Sequence, residues 1–170
     1  MKRFLIPIFL VISLYLDSIL FHHVNIFGTR PDAVLAVVIS CSVLTGSVKG
    51  GIAGLCAGLF ADIFFGEYVG LYALIYMLSG MLSGLLEGKF YSDNIVIAPL
   101  CALGASFIKE NIMAFSLSLD GGRFNYGSML ITYILPCAVL TGLFCMLIHI
   151  ILKPSMSRQV RQRVDYRIGG

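Results

Sequence analysis

Polar residues in this chain are gathered into a few short breaks, and the runs between them are apolar enough to be helices in lipid. The first run, about residues 4–21, ends at the break HHVNIFGTRPD. Residues 33–65 then hold only two charged side chains, Lys49 and Asp62. One helix over that whole run would measure roughly 50 Å, against a hydrocarbon core of about 30 Å. The pattern therefore predicts two short spans, about 33–47 and 50–65, meeting at TGSVKGG with Lys49 at the turn. A fourth span is predicted over about 69–87, ending at EGKFYSDN, and a fifth over about 94–118, containing Lys109 and Glu110. A sixth covers about 128–152 and is followed by the basic tail KPSMSRQVRQRVDYRIGG.

The predicted fold is an all-α membrane protein. It is a single six-transmembrane-helix bundle over residues 1–153, with a basic cytoplasmic tail over 154–170. Composition agrees with this class. The chain has 170 residues, of which 58% are hydrophobic and 12% charged, where an ordinary soluble domain carries about 25% charged residues. A chain this short has too little interior to hide that many apolar side chains from water. The charged start and first apolar run resemble a secretory signal. No cleavage site of small residues follows, so a retained span is expected. The five cysteines, Cys41, Cys56, Cys101, Cys137 and Cys145, lie in apolar runs without CxxC spacing and read as small buried hydrophobes.

Charge sets the predicted orientation. With six spans and a cytoplasmic N-terminus, nine of the twelve Lys and Arg residues fall on the inner side. Arg30 and Arg123 fall outside, and Lys109 lies within a span. This is the distribution that the positive-inside rule favours, and five spans fit it poorly because both termini are basic. The expected location is the cytoplasmic membrane, with both termini in the cytoplasm and anionic lipid attracting the tail.

Glycines recur every fourth residue at Gly50, Gly54 and Gly58, and again at Gly80, Gly84 and Gly88. Each step of four turns a helix by about 400°, so the row drifts slowly around the surface as a slanted groove. Small residues in such grooves let helix backbones approach closely in lipid. The rows serve either packing within the chain or docking of another protein's helix.

Polar side chains inside the apolar runs are the other candidates. Asp62 ends the first glycine row, and Asp17 holds an equivalent place near the end of the first span. Intramembrane carboxylates usually face the protein interior with a partner. Three roles are open for them: a helix-end hydrogen bond, a contact with lipid or a partner protein, or part of a transport site with Arg30 at the outer mouth. Consecutive residues point about 100° apart on a helix, so Lys109 and Glu110 are each expected to pair elsewhere, with Asp17, Asp62 or the carbonyls of a neighbouring helix, or else to mark a widened, wet segment or a partly irregular span. His22 and His23 are adjacent and lack the i, i+4 geometry of a helical metal site. His149 is expected at the inner interface. The chain contains no phosphate-binding glycine loop, nucleophile elbow, HExxH motif or pair of catalytic carboxylates. No enzyme activity, cofactor, metal or nucleic-acid partner is expected.

The stretch GTRPDAVLAVVISCSVLTGSVKGGIAGLCAGLFADIFFGEYVGLYAL resembles the MreD family of rod shape-determining membrane proteins. Arg30-Pro31-Asp32 opening the second span carries the resemblance, with Gly50, Gly54, Gly58, Asp62, Gly66, Gly70, Leu71 and Ala73. It implies a non-enzymatic scaffold of the cell-wall elongation machinery. The implied partners are MreC, the actin-like MreB, the polymerase RodA and a class B penicillin-binding protein. The family is similar in outline to the substrate-binding subunits of energy-coupling-factor vitamin transporters, which supplies the alternative reading. The outer loops predicted here are short for a solute pocket, and that favours the scaffold.

Overall fold

The computed structural model describes residues 10–15, 17, 29, 31–65, 70–86, 95–119 and 126–168. In chain order these form α1 (residues 10–15 and 17), α2 (Ala33–Thr45), α3 (Ser47–Phe65), α4 (Leu71–Gly84) and α5 (Ile97–Leu119). A short α6 (Tyr126–Met129), a π-helical turn over Leu130–Ile134 and a long α7 (Leu135–Ile168) complete the series. The protein is all-α, and no strand ladder occurs among the described residues.

The centre of the bundle is α2. Its sequence, AVLAVVISCSVLT, has no polar stripe, and a helix that is apolar all round must be buried all round. Every residue from Ala33 to Ser42 is buried, with α3, α4, α5 and α7 packed around the helix. Its β-branched valines and isoleucine lose side-chain freedom in a helix, so α2 owes its stability to these neighbours rather than to local propensity.

Between α2 and α3 the break is a single residue. Gly46 adopts φ 96° and ψ 168°, a region open almost only to glycine, while its N–H still bonds the Ser42 carbonyl at 2.8 Å. The turn therefore falls at Gly46. Lys49, expected at the turn, lies inside the first turn of α3. A second left-handed glycine, Gly70 at φ 98°, starts α4.

The most extensive pairing is α3 with α4. A Cβ built on Gly54 would come within 3.0 Å of the Tyr76 backbone, and one on Gly58 would do the same at Ala73. Gly50 and Gly80 meet each other's backbone, and Gly84 meets Ser47. Ser42 of α2 donates to the Gly80 carbonyl at the same crossing. The two glycine rows thus fill one another within the chain. Gly88 lies outside the described residues.

A second seam joins α5 to α7 without a glycine row. Ala98, Ala102 and Ser106 of α5, spaced by four, are fully buried, as are Cys137, Thr141 and Cys145 of α7. The π turn that precedes α7 has a local cause. Pro136 has no N–H to donate, and its ring crowds the carbonyl four residues back. A widened turn relieves that clash.

Residues Ser47–Phe64, Ile97–Ser118 and Tyr126–Leu152 are long and apolar enough to cross a membrane. Helices α2 and α4 are apolar but shorter, with 13 and 14 residues, which corresponds to about 20 Å each. Large apolar side chains such as Ile63, Leu100 and Ile131 are exposed on the outer surface, as a lipid-facing surface requires. Beyond Leu152, where the apolar window ends, α7 continues as helix to Ile168.

Candidate functional site: a buried polar junction

A short helix in lipid has a problem at its N-terminus, because its first N–H groups have no intrahelical acceptor. Each one left unsatisfied in hydrocarbon costs several kcal/mol. The chain solves this for α2 with two carboxylates. Asp17 of α1 accepts from the Ala33 and Val34 amides at 2.8 and 3.1 Å, and Asp32, the N-cap, accepts from the Leu35 amide at 2.8 Å. The same device recurs at α4, where Asp62 of α3 accepts from Tyr72 and Ala73 at 2.9 and 3.0 Å. Negative charge at a helix N-terminus is also favoured by the helix dipole. In each case an aspartate late in one helix caps the next.

Asp32 does more than cap. Its second carboxylate oxygen accepts from the Tyr76 hydroxyl of α4 at 2.6 Å and from the Lys109 ammonium of α5 at 2.8 Å. Its backbone N–H donates to Thr141 Oγ1 of α7 at 3.1 Å. One residue therefore bonds to four helices. Lys109 in turn sits 2.9 Å from Glu110 Oε1 and 6.0 Å from the centre of the Tyr72 ring. Tyr72 meets Tyr76 edge-on at 5.8 Å. The Cys137 thiol donates to Glu110 at 3.6 Å, and Ser106 donates to Thr141 at 3.4 Å.

Both charges of the central pair are buried, with side-chain exposures of 9% for Lys109 and 4% for Asp32. Desolvating a charge costs several kcal/mol, and the attraction between partners repays this only when geometry is good and remaining lone pairs are bonded. Asp32 meets both conditions, with both of its oxygens bonded.

Sequence reasoning locates part of this junction. Asp17, Asp32, Lys109 and Glu110 are brought together, and Asp62 sits apart as the α4 cap. The expectation that adjacent Lys109 and Glu110 pair only elsewhere is overturned. Their Cβ atoms diverge, but the long stems of lysine and glutamate let the two heads converge. Lys109 pairs with Asp32 rather than with Asp17 or Asp62. Sequence reasoning misses Tyr76, Thr141, Tyr72 and Ser106, although Tyr72 and Tyr76 stand at i, i+4 on one helix face. Arg30, His22 and His23 lie outside the described residues. His149, expected at the interface, is buried in α7. Cys41, Cys137 and Cys145 are buried, Cys101 is half-buried and Cys56 is exposed on α3.

A shallow depression of about 290 Å³ lies along α5 between Phe107, Ile108, Asn111, Ile112 and Phe115. Its lining contains none of the carboxylates or the lysine of the junction.

A family model described as rod shape-determining protein MreD matches residues 1–157. The chain belongs to the MreD family. Neither the curated proteins nor the solved structures gave a match. Membership identifies a membrane protein that acts in determining rod shape, in agreement with helices long and apolar enough to span a bilayer. The carboxylates, the lysine and the closing glycine rows of this family member all lie within the family-matched segment.

Proposed function

We propose that this protein is a non-enzymatic membrane scaffold of the cell-wall elongation complex, holding MreC and, with it, other elongation proteins in place. The family match is the observation that carries the proposal. The six-span topology with both termini in the cytoplasm belongs to the same proposal and is supported by the inward bias of Lys and Arg. The geometry supports a scaffold because the polar side chains are spent on one another. Both oxygens of Asp17 and both of Asp62 accept backbone N–H groups, and Asp32 is shared among four helices. Such a junction fixes the mutual placement of α1, α2, α4, α5 and α7, which a docking platform needs. Since the glycine rows of α3 and α4 close on each other, docking falls to the outward faces of the bundle.

The test is complementation. Cells depleted of the native protein, which are expected to lose rod shape, should regain it on expression of this chain, and MreC should co-purify from their membranes. Restored shape without MreC recovery sinks the docking proposal. The alternative, a vitamin-binding transporter subunit, predicts a thermal-stability gain with one member of a vitamin panel. A flat response across the panel retires it.

A further inference from the structure

The last part of α7 has a reach that a membrane span does not need. The helix has 34 residues, about 51 Å at 1.5 Å per residue, against a hydrocarbon core of about 30 Å. The apolar window ends at Leu152 and the helix continues to Ile168, an extension of about 24 Å. Residues 153–168 hold five Lys or Arg against one acidic residue, Asp165. By helical spacing Val160, Val164 and Ile168 fall in one strip, with Arg161 on one flank and Arg163 on the other.

An anionic leaflet is the obvious attractor for arginines, but its field fades within a Debye length, about 8 Å at physiological salt. Arg161, Arg163 and Arg167 lie roughly 13–23 Å past Leu152 along the helix, beyond the headgroups. The extension runs on from the span as one helix through Pro154.

We propose that the α7 extension is a docking helix for a cytoplasmic protein that presents an apolar groove rimmed by Asp and Glu. The groove takes the Val160, Val164 and Ile168 strip, and its acidic rim faces the flanking arginines. This is helix-in-groove recognition with charge complementarity setting register and partner choice. It deepens the scaffold reading and rests on the cytoplasmic placement of the C-terminus.

Site-specific photocrosslinking tests it in the full-length protein in its own membranes, with the photoreactive residue placed at position 164. The expected product is an adduct with a single cytoplasmic protein. The adduct should fall at least tenfold in the Arg161→Glu/Arg163→Glu/Arg167→Glu variant and stay within twofold in the corresponding triple lysine variant. Changing the acidic residues at the crosslinked site of the partner to lysine should restore it with the triple glutamate chain. An adduct with phospholipid alone, a protein adduct indifferent to charge reversal, or no protein adduct overturns the proposal. MreC recovery from the same membranes is the separate readout of the scaffold reading, and it should not change in either triple variant.

Discussion

The Asp32 carboxylate and the Lys109 ammonium meet at 2.8 Å across 77 positions of sequence, both buried at the junction of α2, α4, α5 and α7. Removing one partner of such a pair strands the other charge, and that costs about 3–5 kcal/mol. Replacing every charge by a neutral residue of similar shape is close to neutral. Lys109→Met should therefore lower the thermal midpoint of the detergent-solubilised protein sharply. The Asp32→Asn/Lys109→Met/Glu110→Gln triple variant should recover most of the loss, since the introduced carboxamide retains an acceptor for the Leu35 amide. A triple variant no better than the single one would show that the loss in Lys109→Met does not come from the carboxylates it strands.

Gly54 and Gly104 make a matched pair of opposite expectations. A Cβ on Gly54 would collide with the Tyr76 backbone, whereas one on Gly104 meets nothing within 4 Å. Gly54→Ala should wedge α3 from α4 and reduce folded protein in the membrane fraction severalfold. Gly104→Ala should be neutral or stabilise by about 0.5–1 kcal/mol, the entropic cost of a helical glycine. Equal abundance of the two variants would count against the close crossing.

Asp62 carries the α4 cap alone among the described side chains. Asp62→Ala should speed hydrogen exchange at the Tyr72 and Ala73 amides and destabilise by more than the roughly 0.5–2 kcal/mol of an N-cap in water, because two amides lose their acceptor in an apolar setting. Asp62→Asn, which keeps one acceptor, should fall between. Exchange read residue by residue at those two amides is the decisive measurement, because a general loosening would raise exchange throughout α4.

Tyr76→Phe tests the remaining arm of Asp32. It removes the hydroxyl that donates at 2.6 Å but leaves the ring against Tyr72. A hydrogen bond to a charged group contributes about 1.5–3 kcal/mol, so the loss should be smaller than in Lys109→Met. Thermal midpoints of the two variants, measured side by side, rank the two arms.

The limits of the sequence follow from what a helix pattern encodes. Length against bilayer thickness separates α2 from α3, yet the break sits at Gly46 rather than at Lys49. Several glycines are available there, and only the fold selects the one that takes positive φ. The capping roles of Asp17 and Asp62 are legible as one of several options, because a carboxylate at a helix end has few stable uses in lipid. The partner of Lys109 is not legible. With α2 apolar all round, no polar stripe marks which way Asp32 points, so a contact 77 residues away leaves no periodic trace. The α5–α7 seam escapes for a similar reason: alanine, serine and cysteine take the place there that glycine has in α3 and α4.

The order of the caps along the chain has a consequence for biogenesis. Asp17 is synthesised before α2 and Asp62 before α4, so each short helix leaves the ribosome after the acceptor that its leading amides need. Lys109 arrives later, when Asp32 and Tyr76 are already made. Each capping carboxylate of this protein is therefore laid down ahead of the helix it caps, and Lys109 joins Asp32 and Tyr76 only afterwards.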